Sequence, residues 1–361
     1  MSVFNLYEDI NFLGQEKIFV NTSSDKNVLE ISRKDSDVKQ MYKELLKNDY
    51  LLYLHKDSIS RFCKREYAYK LFTKEHNFNK YKSVLYKINE PSGRKINPKT
   101  VKKLIVIFAK MPGAKLYDSA KLPHRMLPSF FEDLDRSLLK NVHTMRIMDT
   151  NVSHGSHYIN TVNYPSYEKE LKGAIEKVVK ELGVQKENVV FYGVSRGGAG
   201  AIYHGTKLDY KTLAVDPIVN IGGELYGNDR RLLKGLRKED LVPDINTFVK
   251  KSNSFSKVAI CSENVPLYYN EATRLDEHLI KLINLKDDNI KSHPDVSPNS
   301  VPEQLMILNY LLGGEKILKG ASHEEVNSSD ISNDSRGVNN TRFRNGRFKG
   351  VLQNRNRRRD S

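Results

Sequence analysis

The run Val189-Val-Phe-Tyr192, then Gly193-Val-Ser-Arg-Gly197 and Gly198-Ala-Gly-Ala201, decides the fold. The β-branched and aromatic residues predict a buried strand, and the small residues after it predict a tight turn into a helix. A serine between two glycines at such a turn has a strained backbone that presents the Ser195 hydroxyl as a nucleophile. A glycine-rich phosphate turn is the rival interpretation, but neither G-x-G-x-x-G nor a Lys-Ser/Thr phosphate loop is present.

Around this elbow, between residues 96 and 320, short apolar runs alternate with amphipathic helical segments. Such alternation predicts a doubly wound, mostly parallel sheet with helices on both faces, the α/β class of the α/β-hydrolase type. Besides Val189–Tyr192, the predicted strands are Leu104–Ala109, Thr144–Met148, Thr212–Val215, Lys257–Cys261 and a weak one at Asn289–Lys291. The predicted helices are Tyr167–Leu182, a short one after Ser195, Glu271–Ile283 and Val301–Leu312.

Two flanking regions differ from this central domain. Residues 1–95 are charged and rich in tyrosine, and apolar residues at helical spacing in Asp37–Leu52 and Ser60–Phe72 predict a mainly helical N-terminal region. Residues 321–361 are first rich in Ser and Asn and then basic, which predicts a disordered tail. Nine Arg or Lys residues and one acid lie between Ser335 and Ser361, so this tail supplies about half of the net charge of +15.

Composition excludes several classes of protein. Cys63 and Cys261 are the two cysteines, which rules out a disulfide framework and favours a reducing compartment. The first residues lack the basic start and apolar stretch of a signal peptide, and the apolar run at Leu104–Ala109 is far below the roughly 20 residues of a membrane span. We expect a cytoplasmic protein, or one docked at the inner face of a membrane, with no specific nucleic acid as its partner.

The base of a serine nucleophile in this fold follows both the serine and the acid in the chain. Four histidines come after Ser195. His204 lies on the elbow helix and should point away, His278 lies in a predicted helix, and His323 lies in the tail. His293, in a proline-rich loop after the last predicted strand, is therefore the expected base.

Two strand ends offer the acid that orients this histidine. Glu263 follows Lys257–Cys261 directly and is the favoured candidate, while Asp216, which follows Thr212–Val215, is the alternative. Asp216 is also suited to a purely structural role as a cap. Asp295, two residues beyond His293, is a weaker third candidate.

The oxyanion hole should combine the backbone N–H of Arg196 with an N–H from the loop after Leu104–Ala109. Pro112 has no N–H, so Lys110, Met111 or Gly113 remains in that loop, and Met111 is our choice. The side chain of Arg196 is expected either to meet an anionic group of the substrate or to form a surface ion pair.

A loop of Asn, Ser, Thr and His residues between Asp149 and Asn163 follows the second predicted strand. Its position at the mouth of the sheet and its hydroxyl and amide groups predict binding of sugar hydroxyls, with Asn151, His157 and Asn160 as ligands. The alternative is an ordinary polar loop. His154 and His157 lack an obvious third ligand, so no metal site is predicted.

Several spaced motifs carry a family resemblance: Met148-Asp-Thr-Asn151, Tyr192-Gly-Val-Ser-Arg-Gly-Gly-Ala-Gly-Ala201, Ala214-Val-Asp-Pro-Ile218 and His293-Pro-Asp-Val-Ser-Pro-Asn299. Together they resemble the XcbB/CpsF family of bacterial capsular polysaccharide biosynthesis proteins, over roughly Ile96 to Leu312. That family is similar to the sugar O-acetyltransferase of the accessory Sec export system, whose triad is Ser-Glu-His. The resemblance implies the same roles for Ser195, Glu263 and His293.

These observations lead to three functional hypotheses. The first is an acyltransferase that moves an acyl group, such as acetyl from acetyl-CoA, to a hydroxyl of a surface polysaccharide or its precursor, with no tightly bound cofactor. The second is a serine esterase that uses the same triad and water. The third is a non-catalytic assembly factor that works with other capsule biosynthesis proteins at the membrane.

Overall fold

A computed structural model of the 361-residue chain describes residues 2–72, 77–92, 97, 99–222 and 229–313. Residues 1–320 form one compact unit, and the predicted boundary near residue 95 falls inside it. The disordered basic tail expected from residue 321 lies outside the described residues.

The N-terminal region contains a four-stranded sheet as well as helices, so the expectation of a mainly helical region is wrong. The strands are β1 (Ser2–Asn5), β2 (Lys17–Asn21), β3 (Tyr50–Lys56) and β4 (Ile59–Lys64), and the helices are α1 (Val28–Ile31), α2 (Ser36–Lys47) and a 3₁₀ turn at Arg65–Leu71. The strand order is β1-β2-β4-β3, with β1 and β2 parallel and the other pairs antiparallel.

A hairpin explains this error. The predicted helix Asp37–Leu52 matches α2 only up to Lys47, after which the chain turns into β3. Asp57 and Ser58, between β3 and β4, both have positive φ angles (54° and 58°), as a two-residue hairpin turn requires. Paired strands then place Leu51, Leu52 and Phe62 in the core, whereas the sequence pattern also fits a helix.

The large sheet has eight strands. They are β5 (Asn79–Tyr81), β6 (Val84–Asn89), β7 (Lys103–Phe108), β8 (Val142–Met148), β9 (Val189–Val194), β10 (Lys211–Val215), β11 (Lys257–Cys261) and β12 (Lys281–Asn284). Their order is β12-β11-β10-β9-β7-β8-β6-β5. All pairs from β12 to β8 are parallel, and β6 and β5 add an antiparallel hairpin at one edge.

Helices cover both faces of this sheet. Alternate residues of the buried strands point to opposite faces, as the period of two requires. The helices are α3 (Ala114–Tyr117), α4 (Leu122–Met126), α5 (Tyr167–Leu182), α6 (Arg196–Lys207), α7 (Val242–Lys251), α8 (Pro266–Ala272), α9 (His293–Val296) and α10 (Val301–Gly313), with 3₁₀ turns at Leu134–Ser137, Lys186–Asn188 and Pro298–Ser300. On one face Leu104 and Val106 pack in the same cluster as Leu171 of α5, and on the other Ile105 packs in the same cluster as Leu308 of α10.

The predicted fold class is confirmed: the sheet is doubly wound, mostly parallel and of the α/β-hydrolase type. Two predicted elements are wrong. The segment predicted as a helix over Glu271–Ile283 contains only the end of α8 and then forms strand β12. Leu279, Ile280, Leu282 and Ile283 satisfy helical spacing, yet the chain there leads into the parallel edge strand beside β11. The weak strand expected at Asn289–Lys291 is instead a turn at Asn289 followed by irregular chain.

Candidate active site

Ser195 lies at a sharp turn between β9 and α6, with φ 58° and ψ −119°. This left-handed φ is rare for a residue with a side chain and marks stored strain. A Cβ on Gly193 would overlap the backbone of Gly197, and one on Gly197 would overlap the carbonyl of Phe108. Helix α6 can therefore pack closely against β9 and β7 only because these two positions lack side chains.

His293 begins α9 and reaches the serine. Its Nε2 lies 2.7 Å from Ser195 Oγ, and its Nδ1 lies 2.6 Å from Asp216 Oδ2. An ionised carboxylate can only accept, so Nδ1 carries the proton and Nε2 is left to accept the serine hydroxyl. This is the arrangement that a general base requires.

Asp216 follows β10 directly and is held close to the elbow by backbone bonds. The Ser195 N–H donates to the Val215 carbonyl at 2.8 Å, and the Ile218 N–H donates to the Ser195 carbonyl at 3.3 Å. The Asp216 N–H donates to the Ile260 carbonyl at 2.7 Å, and its carboxylate is 1% exposed. The acid and the nucleophile are therefore parts of one junction between neighbouring strands β9 and β10.

The structure contradicts the predicted placement of Glu263 beside His293. Its exposed carboxylate lies 3.0 Å from Lys286 Nζ and accepts a hydrogen bond from Asn284 at 2.8 Å. The bond from Lys286, followed by that from Asn284, lowers the pKa of Glu263. The physical reason is strand order, because β10 lies between β11 and β9 and Glu263 turns outward to the end of β12.

Asp295 is also separate from the base. It lies in the first turn of α9, where its carboxylate accepts from Ser292 Oγ at 2.7 Å and from the Lys291 N–H at 3.2 Å. These hydrogen bonds, led by the one from Ser292, lower its pKa.

Tyr268 packs on the imidazole of His293. Their ring centroids are 4.1 Å apart and the planes are inclined by 23°, a stacked geometry. Tyr268 belongs to α8, which follows β11, so this strand end contributes a ring to the site. No sequence motif marks Tyr268, which sequence reasoning missed.

The predicted oxyanion donors lie on two segments at the carboxyl ends of the parallel strands, the start of α6 and the loop after β7. The Arg196 N–H is the first of α6, and the first amides of a helix have no intrahelical acceptor. In the loop after β7, the Lys110 carbonyl accepts from the Arg196 side chain at 2.7 Å. Because a trans peptide places C=O and N–H on opposite sides, the Met111 N–H points away from that guanidinium. The role of Met111 stays a prediction.

The Arg196 side chain is fully buried, so neither a surface ion pair nor an anionic substrate explains it. Its guanidinium donates instead to backbone carbonyls of three segments that meet under the site. These acceptors are Ala109 and Lys110, Arg125 and Met126, and His154. An arginine directly after the nucleophile, within a run of glycine and alanine, is the only sequence signal for such a buried clamp.

The loop expected to bind sugars is buried from residue 149 to residue 159, and Asn160 is half-buried with its polar groups bonded to α5, so the expectation for Asn151, His157 and Asn160 does not hold. The Asn151 amide donates to Ser156 and Thr161 at 3.1 and 3.0 Å and accepts from Asn163 at 3.0 Å. Asn160 instead bonds α5: its side chain accepts from the Glu168 N–H at 2.8 Å, and its own N–H donates to the Glu168 carboxylate at 3.0 Å.

The histidines of this loop are equally inaccessible. His157 is fully buried, and burial, followed by repulsion from nearby arginines, lowers its pKa far below the usual value. The His154 ring packs on Tyr117 in a tilted arrangement, with ring centroids 4.3 Å apart and planes inclined by 34°, and its pKa is lowered for the same reasons. Both rings are therefore neutral near pH 7 and serve as packing groups.

The N-terminal region explains why this loop is buried. Val152 joins the core formed by Ile18 of β2 and Tyr42 of α2. The Tyr42 hydroxyl lies 3.0 Å from Ser153 Oγ, and the Asn163 amide donates to Asp49 at 2.8 Å. The N-terminal sheet and α2 thus close over the end of β8 and remove it from solvent.

The described residues contain neither a cluster of metal ligands nor a helix that could span a membrane. Within residues 2–72, 77–92, 99–222 and 229–313, no group of three or more His, Cys, Asp or Glu side chains is placed to hold a metal ion. Among the helices in the same ranges, none is both long and apolar enough to cross a bilayer.

The sequence at the centre of the chain is similar to one family of known proteins. The family described as "Accessory Sec system GspB-transporter" matches residues 137–265, which include Ser195 and Asp216 but end before His293. An accessory Sec system protein of Staphylococcus aureus (strain NCTC 8325 / PS 47) is 25% identical over 170 residues, which are 46% of this chain. The chain spans about 30% of the length of that relative.

Solved structures resemble the fold. The capsule O-acetyltransferase of Neisseria meningitidis serogroup A, in complex with caged gadolinium, has a TM-score of 0.47 and 14% identity over 64% of this chain and 94% of that chain. A ferulic acid esterase has a TM-score of 0.47 and 11% identity over 64% of this chain and 93% of that chain.

Proposed function

We propose that the chain is a serine-dependent acyltransferase that moves an acetyl group to a hydroxyl of a bacterial surface polysaccharide or its precursor. The observation that carries the proposal is the hydrogen-bonded series from Asp216 through His293 to Ser195, at a strained strand-to-helix turn. Three side chains from three separate segments meet with the geometry that activates a serine.

The first half of the reaction acylates Ser195. His293 Nε2 takes the hydroxyl proton as Oγ attacks the acyl carbonyl, and Asp216 stabilises the resulting imidazolium. The Arg196 N–H, with the Met111 N–H as the second donor, would hold the oxyanion. The intermediate then collapses, the C–S bond of a thioester such as acetyl-CoA breaks, and the imidazolium gives its proton to the leaving thiolate.

The second half transfers the acyl group to the acceptor. His293 removes the proton of a sugar hydroxyl, whose oxygen attacks the acyl-serine carbonyl, and the proton returns to Ser195 as the ester forms. Water in place of the sugar would make the same site an esterase.

Two similarities support a sugar as the acceptor. The spaced motifs resemble the XcbB/CpsF family of capsular polysaccharide biosynthesis proteins, a family similar to the sugar O-acetyltransferase of the accessory Sec system. The match of residues 137–265 to the GspB-transporter family points to the same accessory Sec system.

The test combines the purified full chain, acetyl-CoA and a capsular polysaccharide from which mild base has removed the acetyl esters. We expect proton NMR to show new acetyl esters on the polymer with the unaltered chain and none with Ser195→Ala. The matched control is Glu263→Gln, which changes an exposed carboxylate and should retain acetyl transfer to the polymer. Acetyl release to water without polymer modification would favour the esterase, and full modification by Ser195→Ala would refute serine catalysis.

A further inference from the structure

A cleft on the sheet face that carries α10 begins beside the elbow. Two cavities of about 320 and 280 Å³ have Asn89, Glu132 and Arg146 in common and therefore form one continuous cleft. It runs from Ala109, at the end of β7, across β8 and β6 to Asp135. Its size is that of a small ligand site.

The inner end of the cleft lies next to the nucleophile. Phe108 of β7 is the register partner of Gly193 in β9, so Ala109 lies level with the residues just before Ser195. The Ala109 carbonyl accepts from the Arg196 side chain at 3.2 Å. The Lys110 ammonium, in the predicted oxyanion loop, lies 5.1 Å from the ring centroid of Phe130, which lines the cleft.

Buried contacts build the wall of this cleft in advance of any ligand. The Phe130 ring stacks on Tyr192 of β9 with centroids 5.8 Å apart. Arg146 donates to the carbonyls of Phe130 and Phe131 at 2.6 and 2.7 Å, which ties the wall segment to β8. A preformed cleft binds a ligand without a large cost in ordering its walls.

The lining suits a ligand with many hydroxyl groups. Side chains of both charges face the cleft, since Lys87 and Arg146 line it together with Glu132 and Asp135. A thioester donor that carries several phosphates would require a strongly cationic lining. Carboxylate, guanidinium and carboxamide groups beside an aromatic ring instead match the alternating donors, acceptors and apolar faces of a sugar.

Glu132 is the best-placed side chain for recognition. It is exposed at the rim of the cleft, and its negative charge interacts with Arg146, which lines the same cleft. Asn89, at the end of β6, donates to Thr144 Oγ1 at 3.3 Å and keeps its amide oxygen as an acceptor.

We propose that this cleft is the subsite that holds the acceptor glycan chain, with Glu132 and Asn89 as its hydrogen-bonding residues. The inference rests on the acyl transfer proposed above and replaces the buried loop after β8 as the sugar-binding surface. A chain that lies in the cleft has its inner end at Ala109, beside the acyl-serine.

The test measures binding of the labelled full chain to an array of neutral, acidic and amino-sugar oligosaccharides, and to coenzyme A by calorimetry. We expect at least one glycan class to bind, and Glu132→Gln and Asn89→Ala each to weaken that binding about tenfold, the effect of one lost hydrogen bond. Glu187 is exposed in the 3₁₀ turn before the amino end of β9 and does not line the cleft, so Glu187→Gln is the matched control and should bind normally. In the transfer assay, Glu132→Gln should raise KM for the glycan more than it lowers kcat.

The outcomes separate this proposal from the proposed function. If a fluorophosphonate labels Ser195 but no glycan binds, or Glu132→Gln binds as well as Glu187→Gln, the glycan subsite is refuted while serine catalysis stands. If coenzyme A competes with the glycan and binds more weakly to Lys87→Gln, the cleft holds the acyl donor, and the glycan subsite is likewise refuted. If Ser195 is not labelled, the proposed catalysis fails, whereas glycan binding sensitive to Glu132→Gln would still support the cleft.

Discussion

The segments after β8 and β10 both begin with an aspartate at the carboxyl end of a strand in the same sheet, yet they serve different purposes. After β8, most polar side chains of residues 149–161 are buried beneath the N-terminal sheet, where Asn151 bonds Thr161 and Ser156 bonds the Ile159 carbonyl. After β10, Asp216 bonds outward to His293 and from there to Ser195. What packs against a strand end decides whether its polar residues take part in catalysis or only stabilise the fold. Substitutions at the two strand ends can separate these roles, because one lowers activity and the other lowers stability.

The largest expected effect is on the carboxylate after β10. Asp216→Asn removes the negative charge opposite the imidazolium and should lower kcat/KM for hydrolysis of p-nitrophenyl acetate by about 10³- to 10⁴-fold. Glu263→Gln, at the end of β11, should stay within about twofold of the unaltered chain because its carboxylate lies at the surface. Equal losses in both variants would contradict the assignment of the acid.

The opposite effect is expected after β8. Asn151→Ala removes the amide that bonds the buried Thr161 hydroxyl and should lower the free energy of unfolding, from urea denaturation, by about 2 to 3 kcal/mol. The kcat of the folded fraction should not change. The exposed Asn289→Ala serves as the control, with an expected change below about 0.5 kcal/mol. A loss of kcat without a loss of stability in Asn151→Ala would return this loop to the active site.

Lowering the pH should reduce the stability of the fold, because several histidines are buried in it as neutral rings. Burial holds the pKa of His154 and His157 well below its usual value and lowers that of His204 to about 4, so folding favours the neutral rings. The unfolded chain takes up these protons near pH 6.5, so the stability is complete above that pH and is lost as the pH falls towards the folded values.

For each such histidine, the free energy of unfolding should fall by about 1.4 kcal/mol between pH 7.5 and pH 5.5. Urea denaturation at the two pH values measures the loss, and His157→Gln should reduce the difference between them by one histidine's share. An unchanged difference in that variant would show that His157 takes up its proton in the folded state.

The smallest expected effect concerns the ring that α8 stacks on the base. Tyr268→Leu removes the stacked ring and should lower kcat by about threefold to tenfold with little change in KM, in line with the value of one aromatic pair. Tyr268→Phe keeps the ring and should restore kcat. A loss of kcat in the Phe variant equal to that in the Leu variant would assign the effect to the hydroxyl instead of the stacking.

Local chemistry made part of the site predictable. The strand, the small residues and the serine at 189–201 all lie within one short stretch of chain, and His293 follows from the order of residues in this fold. The acid was ambiguous because Asp216 and Glu263 both follow strands, and only the order of β9, β10 and β11 decides which one is adjacent. The position of Glu263 directly after its strand favoured it, and the glutamate implied by the family resemblance agreed with that choice.

Long-range packing made the rest unpredictable. The loop after β8 has the composition of a binding loop, and its burial depends on a sheet whose strands β3 and β4 also fit helical spacing. Tyr268 and the Arg196 clamp likewise depend on segments that are distant in sequence and meet only in the folded chain.

The most direct test of the central claim is the rate at which a fluorophosphonate probe labels the full chain, with the modified residue identified by mass spectrometry. The account predicts labelling at Ser195, slowed at least about hundredfold by His293→Ala and strongly by Asp216→Asn, and unchanged by Glu263→Gln. Labelling at another residue, or labelling of His293→Ala at the rate of the unaltered chain, would contradict the account.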